Sequence, residues 1–186
     1  MTRWLRAGAY FAVCLVVSAV SGVLSHLGDA HAAVLPTVGC LLLEVVAYGV
    51  IWPLGTYTLD RPRDPVSAAF GVVWGLCEAQ LLLSGYVLVE QLDLSRAGTV
   101  AAAFVLLSTY QGVWHAAYWD RHVAPEHNDP AWNLRKVLLC HVPNLAATLT
   151  HYAVYRSALW FVAFQTVSLT LSSVAMRFPR PQPVRG

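Results

Sequence analysis

The chain has 186 residues, 57% of them hydrophobic and only 12% charged, with a formal net charge of +2 and a mean hydropathy of +0.54. A soluble domain carries roughly 25% charged residues, so the composition argues against an ordinary water-soluble fold, and a charge of +2 gives no basic surface for nucleic acid. The apolar residues fall in long blocks, and a membrane-crossing helix needs about 20 such residues. The chain therefore has room for six spans joined by short links, but not for a separate soluble domain.

Taken in order, the blocks predict an all-α, polytopic integral membrane bundle forming a single domain over residues 1–186. Span one lies near Trp4–Ser25. Arg3 and Arg6 before it and Ala30-His31-Ala32 after it also resemble a cleaved signal peptide. The apolar stretch Ala7–Ser25 is longer than a signal core of about 7–15 residues, so it is read as a retained span. Span two, near Ala33–Leu59, carries Glu44 at about its midpoint. Span three, near Val66–Glu90, places Gly71, Gly75, Glu78, Leu82 and Gly85 at alternating steps of four and three. That spacing puts them on one face, where Gly71-x-x-x-Gly75 lets a second helix approach closely and Glu78 points into the bundle.

The next three spans each carry a polar stripe. Span four, near Thr99–Asp120, has Ser108, Gln111, His115 and Tyr118, with His122 beyond. Span five, near Val137–Tyr155, has His141, Asn144, Thr148, His151 and Tyr155. Span six, near Ala158–Phe178, has Gln165, Ser168 and Ser172, and the tight link at Arg156–Ser157 makes spans five and six a hairpin. Polar groups in lipid face the bundle interior or a wet cavity, so the stripes predict a polar cavity. Backbone groups in lipid are satisfied only in helices or closed barrels, and unbroken apolar runs lack a barrel's alternation.

Orientation follows from the basic residues. Six spans put Arg3, Arg6, Arg61, Arg63, Arg121, Arg135, Lys136, Arg177, Arg180 and Arg185 on one side and only Arg96 and Arg156 on the other. Positive charge collects in cytoplasmic loops, so both termini are expected inside, in a multi-pass protein of the cell membrane. Residues 121–136 then form a cytoplasmic loop. With its flanks it reads Tyr118, Trp119, Asp120, Arg121, His122, Pro125, Glu126, His127, Asn128, Asp129 and Pro130, the richest titratable run in the chain. Its prolines forbid a continuous helix, which suggests a folded-back functional cap.

These residues bear on several chemistries. A carboxyl group kept neutral in an apolar bundle can donate a proton. Glu78 fits that role, with His115, Asp120, Glu126, His127, His141 and Asn144 as further catalytic candidates. Glu44, Gln111, Trp114, Tyr118, Trp119, Thr148 and Gln165 are candidates to bind substrate. Trp114 and Trp119 would suit an apolar or carbocationic group, although Trp is enriched at interfaces in any case. His115, Asp120, Glu126, His127 and His141 are the residues from which a metal site would be built. His115 and His122, however, sit two turns apart, about 10 Å, and H-E-x-x-H is absent, so no cofactor is expected. Asp60, Arg61, Arg63 and Asp64 match lipid head groups better than a phosphate-transfer site. Cys14, Cys40, Cys77 and Cys140 lie inside spans without C-x-x-C spacing and read as reduced, buried side chains.

The expected function is a membrane enzyme acting on a lipid or isoprenoid (terpenoid) substrate, of isomerase or cyclase type, with its site towards the cytoplasmic face. The alternatives are a proton or small-solute transporter or channel, a metal-dependent membrane oxidoreductase, and a non-catalytic subunit. The partners implied are the lipid bilayer and a hydrophobic small molecule, with a homo-oligomer as one way to supply a pore.

Overall fold

The computed structural model describes residues 3–23, 32–54, 65–114 and 134–175. Among them every regular element is helical and no strand occurs. The helices are α1 (Arg3–Val20), α2 (Val34–Val46), α3 (Pro65–Glu90), α4 (Arg96–Trp114), α5 (Val142–Tyr155) and α6 (Ala158–Ala175). Two stretches, Val34–Ile51 and Pro65–Glu90, are long and apolar enough to cross a membrane, while α1 and α6 carry the shorter apolar stretches Ala7–Val20 and Ala158–Val174. The six helices follow the expected order, but among the described residues the length and hydropathy expected of all six spans are met by two. α4 is diluted by Arg96, Thr99, Ser108, Thr109 and Gln111.

α2 and α5 share one irregularity. α2 runs on into a π-helical turn, Ala47–Ile51, and a second π-helical turn, Val137–His141, leads into α5. Each turn closes with a bond spanning five residues: the Trp52 amide donates to the Ala47 carbonyl, and the Val142 amide to that of Val137. A proline follows at once in both cases, Pro53 and Pro143. Proline has no amide hydrogen and its ring clashes with the carbonyl four residues back, and widening the turn before it relieves both. The two widened turns face each other, and Tyr48 and His141 meet there.

α3 occupies the centre, packed along α6 and flanked by α1 and α4. Its seam with α6 is built by glycine. A Cβ at Gly75 would lie 2.5 Å from the Thr166 Cα, and one at Gly71 would lie 2.7 Å from the Thr170 Cα. Gly85, by contrast, faces Leu107 of α4. The expected single face from Gly71 to Gly85 is thus divided between two neighbours, because α3 packs against α6 along one part of its length and against α4 along another.

Around α3 two apolar cores form. One gathers Leu82, Leu83, Tyr86, Leu149, Tyr152 and Phe161, and the other Tyr48, Trp52, Phe70, Trp74 and Cys140. Where α5 turns into α6, Arg156 takes the left-handed conformation (φ 57°) and its guanidinium pairs with Glu90 at the end of α3. Burial works against that charge, but Glu90 outweighs it and holds the guanidinium above its ordinary value. All four cysteines are free thiols.

Candidate functional site

The two mid-helix carboxylates occupy different settings. Glu78, on α3, is buried at 6% exposure. Trp74 lies one turn before it, and the spacing of four brings the indole onto the same face, so Nε1 donates to Glu78 Oε2 at 2.5 Å. Tyr10 of α1 also hydrogen-bonds to the Glu78 carboxyl. The Tyr10 hydroxyl in turn lies 2.7 Å from that of Tyr110 on α4. Three helices thus supply one hydrogen-bonded chain, Trp74–Glu78–Tyr10–Tyr110. Aromatic rings surround it, with centroids of Tyr10, Phe11 and Phe70 at 5.9, 6.2 and 5.3 Å from that of Trp74.

Tyr110 is also part of a cavity wall. A cavity of about 520 Å³ lies between α1, α3 and α4, lined by Val16, Val17, Val20, Leu81, Leu82, Val87, Leu88, Leu106 and Leu107, with Ser21, Ser84, Gly85, Gln91 and Tyr110. Ligand cavities run from about 300 to 1,000 Å³, so the space suits a small apolar molecule. Several lining side chains, among them Val20 at 84% exposure and Leu88 at 59%, are open to the outside of the bundle. The cavity is therefore open at the side, and Tyr110, whose hydroxyl is linked through Tyr10 to Glu78, forms part of its wall. Such a chain can pass a proton between Glu78 and a molecule in the cavity, because each hydroxyl both donates and accepts.

Glu44, on α2, is 1% exposed, and neither of its oxygens has a hydrogen-bond partner. Around it lie Ser168 of α6 and the Tyr48 and Cys140 side chains. Along α5, His141 Nδ1 is 2.9 Å from the Tyr48 hydroxyl, and His151 Nε2 is 3.0 Å from Thr37 Oγ1. Asn144 donates to the Cys140 carbonyl, and Thr148 to the carbonyl of Asn144. A shallower hollow of about 420 Å³ between α2 and α5 is lined in part by His151, Cys40 and Tyr155.

The residues predicted to form one site therefore lie in two clusters. Glu78 faces α1 and α4, whereas Glu44 belongs to α2, Asn144 and Thr148 to α5, and His141 to the π-helical turn that leads into α5. Gln165 is buried on α6, and Gln111 is half-buried on α4. Trp114 ends α4. His115, Tyr118, Trp119, Asp120, Glu126 and His127, with the rest of the 121–136 loop as far as residue 133, lie outside the described residues. No group of three or more His, Cys, Asp or Glu side chains among the described residues is placed to hold a metal. Sequence reasoning missed Tyr10, Tyr48, Tyr110 and Thr37. A signal existed for Tyr48, which stands four residues after Glu44, but none for Tyr10, whose partner is 100 residues away. Compared with protein-family models, curated proteins and solved structures, the chain matches none.

Proposed function

We propose that the chain is a six-span protein of the cell membrane with both ends in the cytoplasm, and an enzyme of isomerase or cyclase type acting on a lipid or isoprenoid. The membrane reading draws on where the side chains lie. Val16 and Val20 of α1, Leu35 and Leu42 of α2, Leu88 of α3, Val105 of α4, Leu138 before α5 and Leu159 of α6 are exposed, while Glu44, Glu78, Asn144, Thr148 and Gln165 are buried. In water such an apolar outer surface would drive association, whereas in lipid it is the solvated face.

One observation carries the enzyme reading: an apolar cavity open to the side is lined in part by Tyr110, which is linked through Tyr10 to Glu78. A hydrocarbon chain would enter from the bilayer and lie along α1, α3 and α4. Glu78, through the phenols, would add a proton to one carbon of a double bond and take one back from a carbon beside the cation so formed. The net change is a shifted double bond, or a closed ring if a second double bond attacks first. The Tyr110 ring, the aromatic side chain of the cavity wall, would favour the positive charge.

The test is an untargeted lipid profile of cells expressing wild type, Glu78→Gln, Tyr110→Phe and His115→Ala at matched levels. A species that changes with wild type and not with Glu78→Gln supports the proposal and identifies the substrate class. Identical profiles for wild type and Glu78→Gln would remove it. A proton or small-solute transporter is favoured by a different feature, the line of His141, Asn144, Thr148 and His151, which extends about 15 Å along α5. Flux into liposomes that requires Glu44 but not Glu78 would establish that reading instead.

A further inference from the structure

α2 and α5 run antiparallel in a fixed register. Lys136 Nζ lies over the Trp52 ring, 5.5 Å from its centroid. Cys140 Sγ donates to the Ala47 carbonyl at 3.4 Å, and His151 meets Thr37 at 3.0 Å. Between the last two contacts Glu44 lies three residues from Ala47, and Asn144 lies four residues from Cys140. The register therefore brings Glu44 and Asn144 to the same level. Asn144 is 2% exposed, and its Oδ1 also has no hydrogen-bond partner. Ser168 approaches the Glu44 carboxyl from α6.

Here acceptors outnumber the donors that reach them. One of the two Asn144 amide hydrogens is committed to the Cys140 carbonyl, and the Ser168 hydroxyl, which lies against the Glu44 carboxyl, is shared with the carbonyls of Phe164 and Gln165, at 3.2 and 3.0 Å. Both Glu44 oxygens and Asn144 Oδ1, buried at the same level of the bundle, are left without a hydrogen-bond partner. The nearest described cation on this face of α5, Lys136, is two turns away, about 12 Å, over the Trp52 ring. His141, one turn away, directs Nδ1 at Tyr48. Unpaired acceptors are costly to bury, and an all-oxygen set is what a hard cation prefers over nitrogen or sulfur ligands. One carboxylate with neutral oxygens matches a single positive charge.

We propose that Glu44, Asn144 and Ser168 form a binding site for an alkali-metal cation that ties together α2, α5 and α6. It is separate from the Glu78 chain and does not depend on the reaction proposed above. A cation bound only by the folded protein raises its stability by mass action. The full chain, purified in detergent, is expected to melt about 5–10 °C higher at a cation concentration roughly 100-fold above its Kd. The experiment compares Tm in NaCl, KCl and choline chloride at equal ionic strength, alongside binding of ²²Na⁺. Wild type and Glu78→Gln should show a saturable rise with sodium or potassium but not with choline, together with saturable tracer binding or its displacement by potassium.

Glu44→Gln, which keeps the shape and supplies a donor to Asn144, should fold and lose the response, and Ser168→Ala should weaken it. Equal melting in all three salts with no tracer binding overturns the proposal. So does a response that survives in Glu44→Gln. A Tm insensitive to cations but dependent on pH would mean that a proton on Glu44 supplies the missing donor, and it also overturns the proposal. Should Glu44→Gln fail to fold, the wild-type salt series and tracer binding still decide.

Discussion

Glu44 and Glu78 are the same residue type, both near the middle of long apolar helices, yet the bundle treats them in opposite ways. Glu78 is met by a tryptophan from its own helix and by a tyrosine from another, and a third helix extends the chain to a cavity. Glu44 is enclosed more completely, and only the Ser168 hydroxyl, shared with its own helix backbone, lies beside it. The contrast separates two uses of a buried carboxyl group. One placed in a donor chain beside an open cavity can exchange protons with a guest. One placed among acceptors in a closed interface calls for a positive charge.

The largest test of this contrast falls on the first cluster. Glu78→Gln keeps shape and burial but removes the acid–base group, and the expected loss of product formation is about 10²–10⁴-fold. Because Gln still accepts from Trp74, the melting temperature should shift far less than activity does. An equal collapse of both would assign Glu78 to packing and would break the comparison.

Next comes the seam that holds the two clusters in one bundle. Gly75→Ala would drive a methyl group to 2.5 Å from the Thr166 Cα, and backbone cannot rotate away as a side chain can. The expected cost is about 1–3 kcal/mol, read as a lower melting temperature of the purified chain. Both the cavity and the Glu44 interface depend on the position of α3 against α6, so this variant should weaken both readouts together.

These two positions also show what the sequence made legible. The all-helical class and the order of the helices follow from the apolar blocks. Trp74 beside Glu78 follows from their spacing of four, and Gly71 with Gly75 announced a close helix contact. The chain from Glu78 through Tyr10 to Tyr110 did not, because it joins α1 to α4 across 100 residues and a lone tyrosine on an apolar helix has no periodicity to mark it. The polar stripe of α5 was legible as a stripe but not in its use. Asn144 and Thr148 turn to their own backbone one turn earlier, whereas His141 and His151 reach across to α2. Spacing alone assigns a side chain to a face, and the neighbour on that face decides whether it bonds inward or across.

A cavity substitution sharpens the comparison from the side of the guest. Leu106 lines the cavity and is 42% exposed, so Leu106→Trp should occupy part of it without entering the core. Turnover should fall on the order of tenfold, the effect of about 1.4 kcal/mol of lost binding, with KM rising more than kcat falls. The cation response of the Glu44 cluster should be untouched. A Leu106→Trp variant with unchanged kinetics would place the substrate elsewhere.

The smallest effect is expected at Gly39, on α2 one turn before Leu43 and Glu44. Nothing lies within 4 Å of where its Cβ would stand, its neighbours Val38 and Leu42 are exposed, and its backbone is ordinary α-helix. Gly39→Ala therefore meets no clash and loses only the conformational freedom that glycine gives an unfolded chain, so stability should rise by about 0.5–1 kcal/mol. The sign is opposite to that at Gly75 for the same substitution, because the helix opposite Gly75 is in contact and the space beside Gly39 is open. A destabilising Gly39→Ala would show that this face of α2 is covered by another chain, and the obvious candidate is a second copy brought together through the exposed apolar side chains of Leu35, Val38 and Leu42. Cross-linking of a cysteine placed at Gly39 would then separate that dimer from a lipid-facing surface.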